Sequence, residues 1–230
     1  MINNVSHFTN RFLRLCLLLP LLLTVTASGA DPGGLFTIAR VKYHGGGDWY
    51  SDPTSLPNLL RFIRDNTPLA TATEEAVVEL TDSELFSYPY LYLTGHGRIT
   101  LSSEEVLRLR EYLSAGGFLH ADDNYGLDKF FRDEMSRVFP EQNFQELPFD
   151  HPVFHSLYSF PGGCPKVHEH DGKPPQVLGL FHEGRLCVIY TYEADLGDGW
   201  EDPETHNDPP SIRQQALRMG ANIVYWRLSN

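Results

Sequence analysis

The sequence is poor in basic residues and in cysteine, and its one marked hydrophobic run is short. Of its 230 residues, 18 are Lys or Arg and 30 are Asp or Glu, which gives a formal charge of -12. Scarce basic residues disfavour a nucleic-acid partner, because phosphate binding relies on clustered Lys and Arg. The apolar run at residues 15–23 is about ten residues long, whereas a membrane-spanning helix needs about twenty.

That apolar run predicts a secretory signal peptide. Arg11 and Arg14 precede it, and the small residues Ser28, Gly29 and Ala30 follow it, as a signal peptidase requires. An uncleaved anchor is the alternative. Cleavage after Ala30 would remove two arginines and no acid, taking the charge from -12 to -14 (-12 minus 2). We therefore predict a signal peptide at 1–30 and one exported domain at 31–230, periplasmic or extracellular and without a membrane span.

Several sequence signatures of common chemistries are absent. The chain has no G-x-G-x-x-G, no Gly-Lys-Ser/Thr and no H-E-x-x-H, so no cofactor is predicted. Only Cys164 and Cys187 follow the leader. Cys164 falls in a Gly/Pro loop and Cys187 in an apolar strand pattern, so the sequence leaves open whether the two pair.

The stretch from Pro89 to Gly126 predicts a βαβ unit. Residues 90–94 form a β-prone run, Ser102-x-x-Glu105 fits a capping box at a helix start, and residues 118–121 form a second apolar run. The crossover of such a unit is right-handed, so its two strands are parallel. Both turns that follow strands then open on one edge of the sheet.

Polar residues occupy those two turns. His96 follows the first strand, and Asp122 and Asp123 follow the second, so we expect them to face one crevice, where open α/β sheets bind ligands. They are the candidate catalytic residues, with an aspartate as base or nucleophile and His96 or His120 as proton partner. Because side chains alternate along a strand, we expect one aspartate to face the crevice. Alternatively, the aspartates only cap the next helix.

The remaining patterns complete an α/β domain. We predict strands at 35–43 and 75–80, the second as a sheet edge, and a hairpin of strands at 177–181 and 186–192. Helices are expected after Ser55, from 127 to 138 and, as a closing element, from 212 to 226.

Aromatic residues beside acids suggest a carbohydrate or cell-envelope glycan as ligand, since rings stack on sugars and carboxylates accept hydroxyl protons. The predicted ligand-binding residues are Gly45, Gly46, Asp48, Trp49, Tyr50, Gly95, His96, Asp122, Asp123, Asn124 and Trp200.

No metal is assigned from the sequence. The His168–Asp171 segment lacks the helical spacing of a zinc motif, and adjacent loop histidines are usually solvated. A metal held by His96, Asp122 and an acid from 193–198 is an alternative.

Several segments together resemble an uncharacterised bacterial family, domain of unknown function 4159. They include Thr94–Gly97, Gly116–Asp123, Asp150–His155 and Asp198–Glu201, and the resemblance extends from about Phe36 to the end of the chain. The layout is similar, more remotely, to the class I glutamine-amidotransferase-like fold and its trehalose-utilisation-protein branch. That similarity implies a flavodoxin-like three-layer sandwich with a mostly parallel sheet.

The same resemblance argues against amidotransferase chemistry. Those enzymes carry a cysteine at the elbow that corresponds to Ala121-Asp122-Asp123, and no cysteine lies there. Three hypotheses follow: a domain that binds a small polar ligand or glycan, a carboxylate- or metal-dependent hydrolase using Asp122 or Asp123 with His96, and an envelope protein-interaction module using residues 150–175.

Overall fold

The computed structural model describes residues 34–230 together with Met1, so the predicted signal peptide lies outside the described residues. Between residues 34 and 230, no helix combines the length and apolar character that crossing a membrane requires.

Seven strands form one sheet. They are β1 (Ala39–Lys42), β2 (Ala76–Glu79), β3 (Leu91–Leu93), β4 (Leu119–Asp122), β5 (Gln145–Glu146), β6 (Gln176–His182) and β7 (Arg185–Tyr192). The strand order is β2-β1-β3-β4-β7-β6-β5. The first five strands in that order are parallel, and β6 pairs antiparallel with both β7 and β5. The predicted edge position of β2 and the hairpin of β6 and β7 are confirmed.

Helices cover both faces of the sheet. They are α1 (Ser55–Asn66), α2 (Ser103–Ser114), α3 (Asp128–Val138), α4 (Leu196–Trp200), α5 (Pro203–His206) and α6 (Pro210–Ser229). α1, α4 and α6 pack together on one face, and α2 packs against α3 on the other. The protein is therefore a flavodoxin-like three-layer α/β sandwich, as predicted, with a hairpin and a closing helix at its C-terminal end.

Alternation along the central strands builds the two halves of the core. Leu91 of β3 and Leu119 of β4 face α2 and α3, whereas Tyr92 of β3 and Phe118, directly before β4, face α1 and α6. The central parallel strands β3, β4 and β7 are buried on both sides, which explains why they read as continuous apolar runs rather than as alternating ones.

Local signals fix several element ends. At the start of α2, Ser102 accepts from the Glu105 amide while the Glu105 carboxylate accepts from the Ser102 amide, which confirms the capping box. The first strand is shorter than the predicted 35–43, because regular pairing is limited to Ala39–Lys42, of which only Ala39 and Arg40 pair on both sides, and Phe36 makes an isolated bridge to Thr71.

His120 is a fully buried polar residue in the centre of β4. The Tyr90 hydroxyl lies 2.9 Å from its Nδ1, and Thr191 Oγ1 lies 3.0 Å from its Nε2. Both ring nitrogens are therefore satisfied by a neutral imidazole that accepts at Nδ1 and donates from Nε2. Burial lowers the pKa of His120 to about 3, so this side chain is neutral in the folded protein and does not act as a proton partner near neutral pH.

We predict that His120 makes folding pH-dependent. Between its folded pKa of about 3 and its ordinary value of 6.5, the unfolded chain binds the extra proton, so stability falls as pH falls. From pH 7 to pH 5 this term amounts to about 2 kcal/mol. Urea unfolding at both pH values should show His120→Gln losing about that much less stability than the unsubstituted protein. Identical pH dependence in the two proteins would contradict the prediction.

Candidate functional site

Acidic residues gather where β1, β4 and β7 end. Asp122 is the last residue of β4, Asp123 follows it, and Glu193 and Asp195 follow β7. β4 and β7 are parallel neighbours, with Asp122 paired to Thr191. The carboxyl ends of both strands therefore open on one edge. β3 and β4 are parallel neighbours as well, as predicted for the βαβ unit, so the turns that follow them open on the same edge.

The Asp122 side chain is fully buried and hydrogen-bonded. Its Oδ1 accepts from the Thr191 hydroxyl, and its Oδ2 accepts from the Gly197 amide at 2.6 Å and the Tyr92 hydroxyl at 3.4 Å. Burial, with Asp195 nearby, raises the pKa of Asp122 to about 8. Asp122 thus joins β3, β7 and the start of α4, and no free oxygen of this side chain faces a ligand.

The backbone after β7 reaches Asp122 only because residue 197 is glycine. A Cβ at Gly197 would lie 2.7 Å from the Tyr92 hydroxyl and 2.9 Å from Oδ2 of Asp52, closer than such contacts occur. Glu193 and Asp195 in the same loop adopt left-handed backbone conformations (φ 56° and 54°), which cost energy in residues other than glycine. The Asp122 hydrogen bonds help to hold this strained loop in place.

Two histidines from the loop before β6 lie against that segment. Nδ1 of His168 is 3.1 Å from Oδ2 of Asp195 and 2.8 Å from Oδ2 of Asp198. Nε2 of His170 is also 3.1 Å from Oδ2 of Asp195. The loop that carries the histidines is tied to the β7 end by a backbone bond from Val167 to Ala194 and by an ion pair between Lys166 and Glu193.

The segment before α6 completes the cluster. Nε2 of His168 is 3.1 Å from Oδ1 of Asp208, and Nε2 of His206 is 3.5 Å from Oδ2 of Asp198. His168, Asp198 and His206 each offer one ligand atom, and these atoms all lie within 4.8 Å of one another. We refer to His168, His170, Asp195, Asp198, His206 and Asp208 together as the Asp/His cluster.

Electrostatics couple the members of the cluster. Hydrogen bonds to Asp195 and Asp198 raise the pKa of His168 to about 11, and the nearby carboxylates of Asp123 and Asp195 raise that of His170 to about 10. Without a bound cation, both imidazoles are therefore protonated at neutral pH and neutralise the carboxylates. Neither could then act as a general base.

The pKa values of Asp52 and Asp195 shift in opposite directions. Burial and the adjacent Asp198 raise the pKa of Asp52, at the start of the segment leading into α1, to about 9. Burial alone would also raise the pKa of Asp195, but hydrogen bonds from His168 and His170 hold it below its ordinary value. Asp52 is thus protonated at neutral pH, while Asp195 is ionised.

Exposed groups form a rim beside the cluster. His96, which follows β3, pairs with Asp48, which follows β1, with Nδ1 3.1 Å from Oδ2. The next residue, Gly97, donates its amide to the carbonyl of Tyr125 at 3.3 Å. The Tyr125 ring is 63% exposed and stands edge-on to the His170 ring, 6.1 Å between centroids. Contacts therefore run without interruption from Asp48 to the Asp/His cluster.

The predicted ligand-binding residues are distributed unevenly around this edge. Tyr50 is exposed, and Trp49 is partly buried against it, edge to face. Trp200, which the sequence placed in the crevice lining, is fully buried, because its ring packs against Tyr92 and His120 and its Nε1 donates to the Ala216 carbonyl.

The other predicted residues fill structural positions. The Asn124 amide donates to Asp52 at 3.3 Å. Asp123 Oδ2 accepts from the Glu193 amide at 3.0 Å and lies 3.7 Å from Nδ1 of His170. Gly45 has a φ of 122° and packs on the backbone of residues 98–100, so it allows a close turn, whereas a Cβ at Gly46 would meet no atom within 4 Å.

Sequence reasoning gave little weight to the histidines of the Asp/His cluster. His168 and His170 sit in an irregular loop and acquire their partners only through long-range contacts with residues after β7 and before α6. The density of potential ligands in His168–Asp171 was the one available signal, and its weakness lay in the absence of regular spacing.

Part of the segment predicted as a partner surface packs against the core, although most of its residues are exposed or partly exposed. Val153 and Phe154 are buried, and the Asn222 side chain bonds the backbone of Leu157 and Tyr158 to α6. Cys164 and Cys187 are both buried free thiols. A cavity of about 590 Å³ lies between residues 158–165 and α6, but Arg218 is the one charged residue of its described lining.

We predict that Asp122 acts by position rather than by reaction. Asp122→Ala leaves the Gly197 amide and the Tyr92 hydroxyl without their acceptor, and each buried unpaired group costs about 1–3 kcal/mol. Urea unfolding should show a loss of at least about 2 kcal/mol. Asp122→Asn keeps an acceptor and the shape, so it should lose less. Equal stability of the alanine variant and the unsubstituted protein would contradict this role.

Comparison with known proteins identifies a family without assigning an activity. No curated protein matches the chain. The family described as Domain of unknown function (DUF4159) matches residues 37–228, which is nearly the whole described domain. The chain therefore belongs to the DUF4159 family.

Proposed function

We propose that this domain binds a small, hydroxyl-rich ligand, such as a sugar or a cell-envelope glycan, along the carboxyl edge of its sheet. The observation that carries the proposal is the continuous row of contacts from the Asp48–His96 pair through Tyr125 to the Asp/His cluster. Exposed aromatic rings there stand beside acceptors, the combination that sugars require.

The exposed groups set the ligand's position. Tyr50 and Tyr125 expose 64% and 63% of their surface, so their rings are free to stack. Asp48, in the loop after β1, and His96, in the loop after β3, are partly exposed and offer hydrogen-bonding groups. Asp122 and Trp200 are fully buried, so in this proposal they shape the crevice from beneath.

We also infer that the domain acts outside the cytoplasm. The support is the signal-peptide pattern of residues 1–30 together with the acidic composition of the remainder.

A hydrolase is the second candidate, and the Asp/His cluster is the observation that favours it. His168 and His206 are each about one-third exposed beside the buried Asp198, so their imidazole rings are accessible to a bound substrate. The alternative built on Asp122 with His96 has less support, since Asp122 is saturated by donors and His96 pairs with Asp48. Hydrolysis of 4-nitrophenyl glycosides or esters that is lost in His168→Ala would favour this candidate over simple binding.

We predict that Tyr125 contributes a stacking surface for the ligand. Thermal unfolding against N-acetylglucosamine, maltose and trehalose should reveal a sugar that raises the midpoint, and Tyr125→Ala should weaken its binding by about tenfold, equivalent to about 1.4 kcal/mol. Tyr125→Phe keeps the ring and should retain most of the affinity.

Phe149→Ala is the matched control, because this ring is 53% exposed in a different part of the fold. Equal loss of binding in Tyr125→Ala and Phe149→Ala, or no shift with any of the three sugars, would contradict the proposed function.

A further inference from the structure

Three side chains from separate segments converge in the Asp/His cluster with the spacing of metal ligands. Oδ2 of Asp198, in α4, lies 2.8 Å from Nδ1 of His168 and 3.5 Å from Nε2 of His206. Ligands bonded to a tetrahedral Zn²⁺ at 2.0–2.1 Å are about 3.3 Å apart. The two separations bracket that value, and the partly exposed His206 has room to adjust.

Buried acceptors in the cluster lack donors. Oδ1 of Asp195 and Oδ1 of Asp198 have no hydrogen-bond donor, although their side chains are only 3% and 9% exposed. Oδ2 of Asp208 is also unpaired. Such groups are rare in folded proteins, and the protonated imidazoles of His168 and His170 leave these three oxygens without a donor. An occupant of this site is therefore a compact cation, since a sugar could not reach these buried oxygens.

The surroundings hold the imidazole of His168 in the orientation of a metal ligand. A histidine that binds metal through one nitrogen commonly donates its other N–H to a carboxylate. With Nδ1 of His168 directed at Asp198, its Nε2 lies 3.1 Å from Oδ1 of Asp208. His170 contacts the neighbouring carboxylate Asp195, with its Nε2 3.1 Å from Oδ2. His168 is thus oriented by the hydrogen bond to Asp208.

We propose that His168, Asp198 and His206 bind one Zn²⁺ ion, with Asp195 as an adjacent carboxylate and Asp208 orienting His168. Two imidazoles and one carboxylate favour zinc and similar transition metals, whereas Mg²⁺ and Ca²⁺ prefer oxygen ligands alone. Three protein ligands leave a fourth position for water or a ligand. The side chains of His168 and His206 are 30% and 31% exposed, so that position faces solvent.

This inference goes beyond the proposed function, because the cation can bind with or without an organic ligand. The metal site also explains how the cation and an organic ligand could bind cooperatively. A zinc ion at the cluster would stand near the Tyr125 ring, since His170 contacts both Tyr125 and Asp195. A hydroxyl of a bound sugar could then take the fourth position.

Zinc titration of the protein after EDTA treatment and dialysis tests the proposal, with no sugar present. Bound metal is measured by atomic emission and affinity by competition with a chromophoric chelator. One Zn²⁺ per chain is expected, bound at least tenfold more tightly than Mg²⁺ or Ca²⁺. His206→Ala and Asp198→Asn should each weaken zinc affinity at least tenfold, and Asp208→Asn about tenfold through its effect on His168.

His155→Ala is the matched control, because His155 is an exposed histidine outside the cluster, with its Nε2 2.9 Å from the Phe149 carbonyl. Its zinc affinity should stay within twofold of the unsubstituted protein. Circular dichroism in EDTA verifies that each variant folds, and the partly exposed His206 is the substitution least able to disturb the core.

The proposal is overturned if both His206→Ala and Asp198→Asn bind zinc within twofold of the unsubstituted protein. It is also overturned if His155→Ala loses as much affinity as they do, or if Mg²⁺ binds as tightly as zinc. Zinc binding without any sugar shift would leave the metal site standing and reject the proposed ligand class. A sugar shift without zinc binding would do the reverse.

Discussion

The arrangement at the carboxyl edge depends on one buried side chain, that of Asp122. Its two oxygens accept from Thr191 in β7, from Tyr92 in β3 and from the Gly197 amide at the start of α4. A carboxyl group removed from water is stable only with such donors. These contacts fix where the chain leaves β7, and that exit point determines where Asp195 and Asp198 lie. Asp122 is thus a positioning residue beneath the site.

At the acidic edge of the sheet, backbone strain and repulsion between like charges lower the stability of the fold. Glu193 and Asp195 adopt left-handed backbone conformations, and Asp52 and Asn207, which adjoin the cluster, do so as well. Carboxyl groups crowd together here, and burial with the adjacent Asp198 raises the pKa of Asp52 to about 9. Strain and like charge concentrated at one edge are typical of functional sites. A bound cation would relieve both the charge repulsion and the unpaired oxygens, which is why we assign one to this cluster.

The general layout could be predicted because it rests on local signals. The capping box at Ser102, the apolar runs of β3 and β4 and the handedness rule for βαβ units were enough to place Asp122 and Asp123 at one edge of a parallel sheet. The rest depended on contacts that have no local signature. His168 meets Asp208 across 40 residues, and the intervening chain is held by the bond between Val167 and Ala194.

Trp200 shows that long-range contacts can also bury a residue that the local sequence predicts to line the site. An aromatic residue in an acidic, glycine-rich loop resembles a ligand platform, but the loop forms the short helix α4, which packs on α6. A Cβ at Gly220 would lie 2.7 Å from the Trp200 ring, so glycine in α6 provides the space for that ring. Burial of Trp200 was therefore decided by a residue twenty positions away, which no reading of the local composition could reveal.

Anomalous diffraction from crystals grown with Zn²⁺, recorded above and below the zinc absorption edge, tests the central claim most directly. We expect one strong anomalous peak at about 2.0–2.1 Å from Nδ1 of His168, Oδ2 of Asp198 and Nε2 of His206. No peak at this position, or zinc held only by surface histidines elsewhere, would contradict the account.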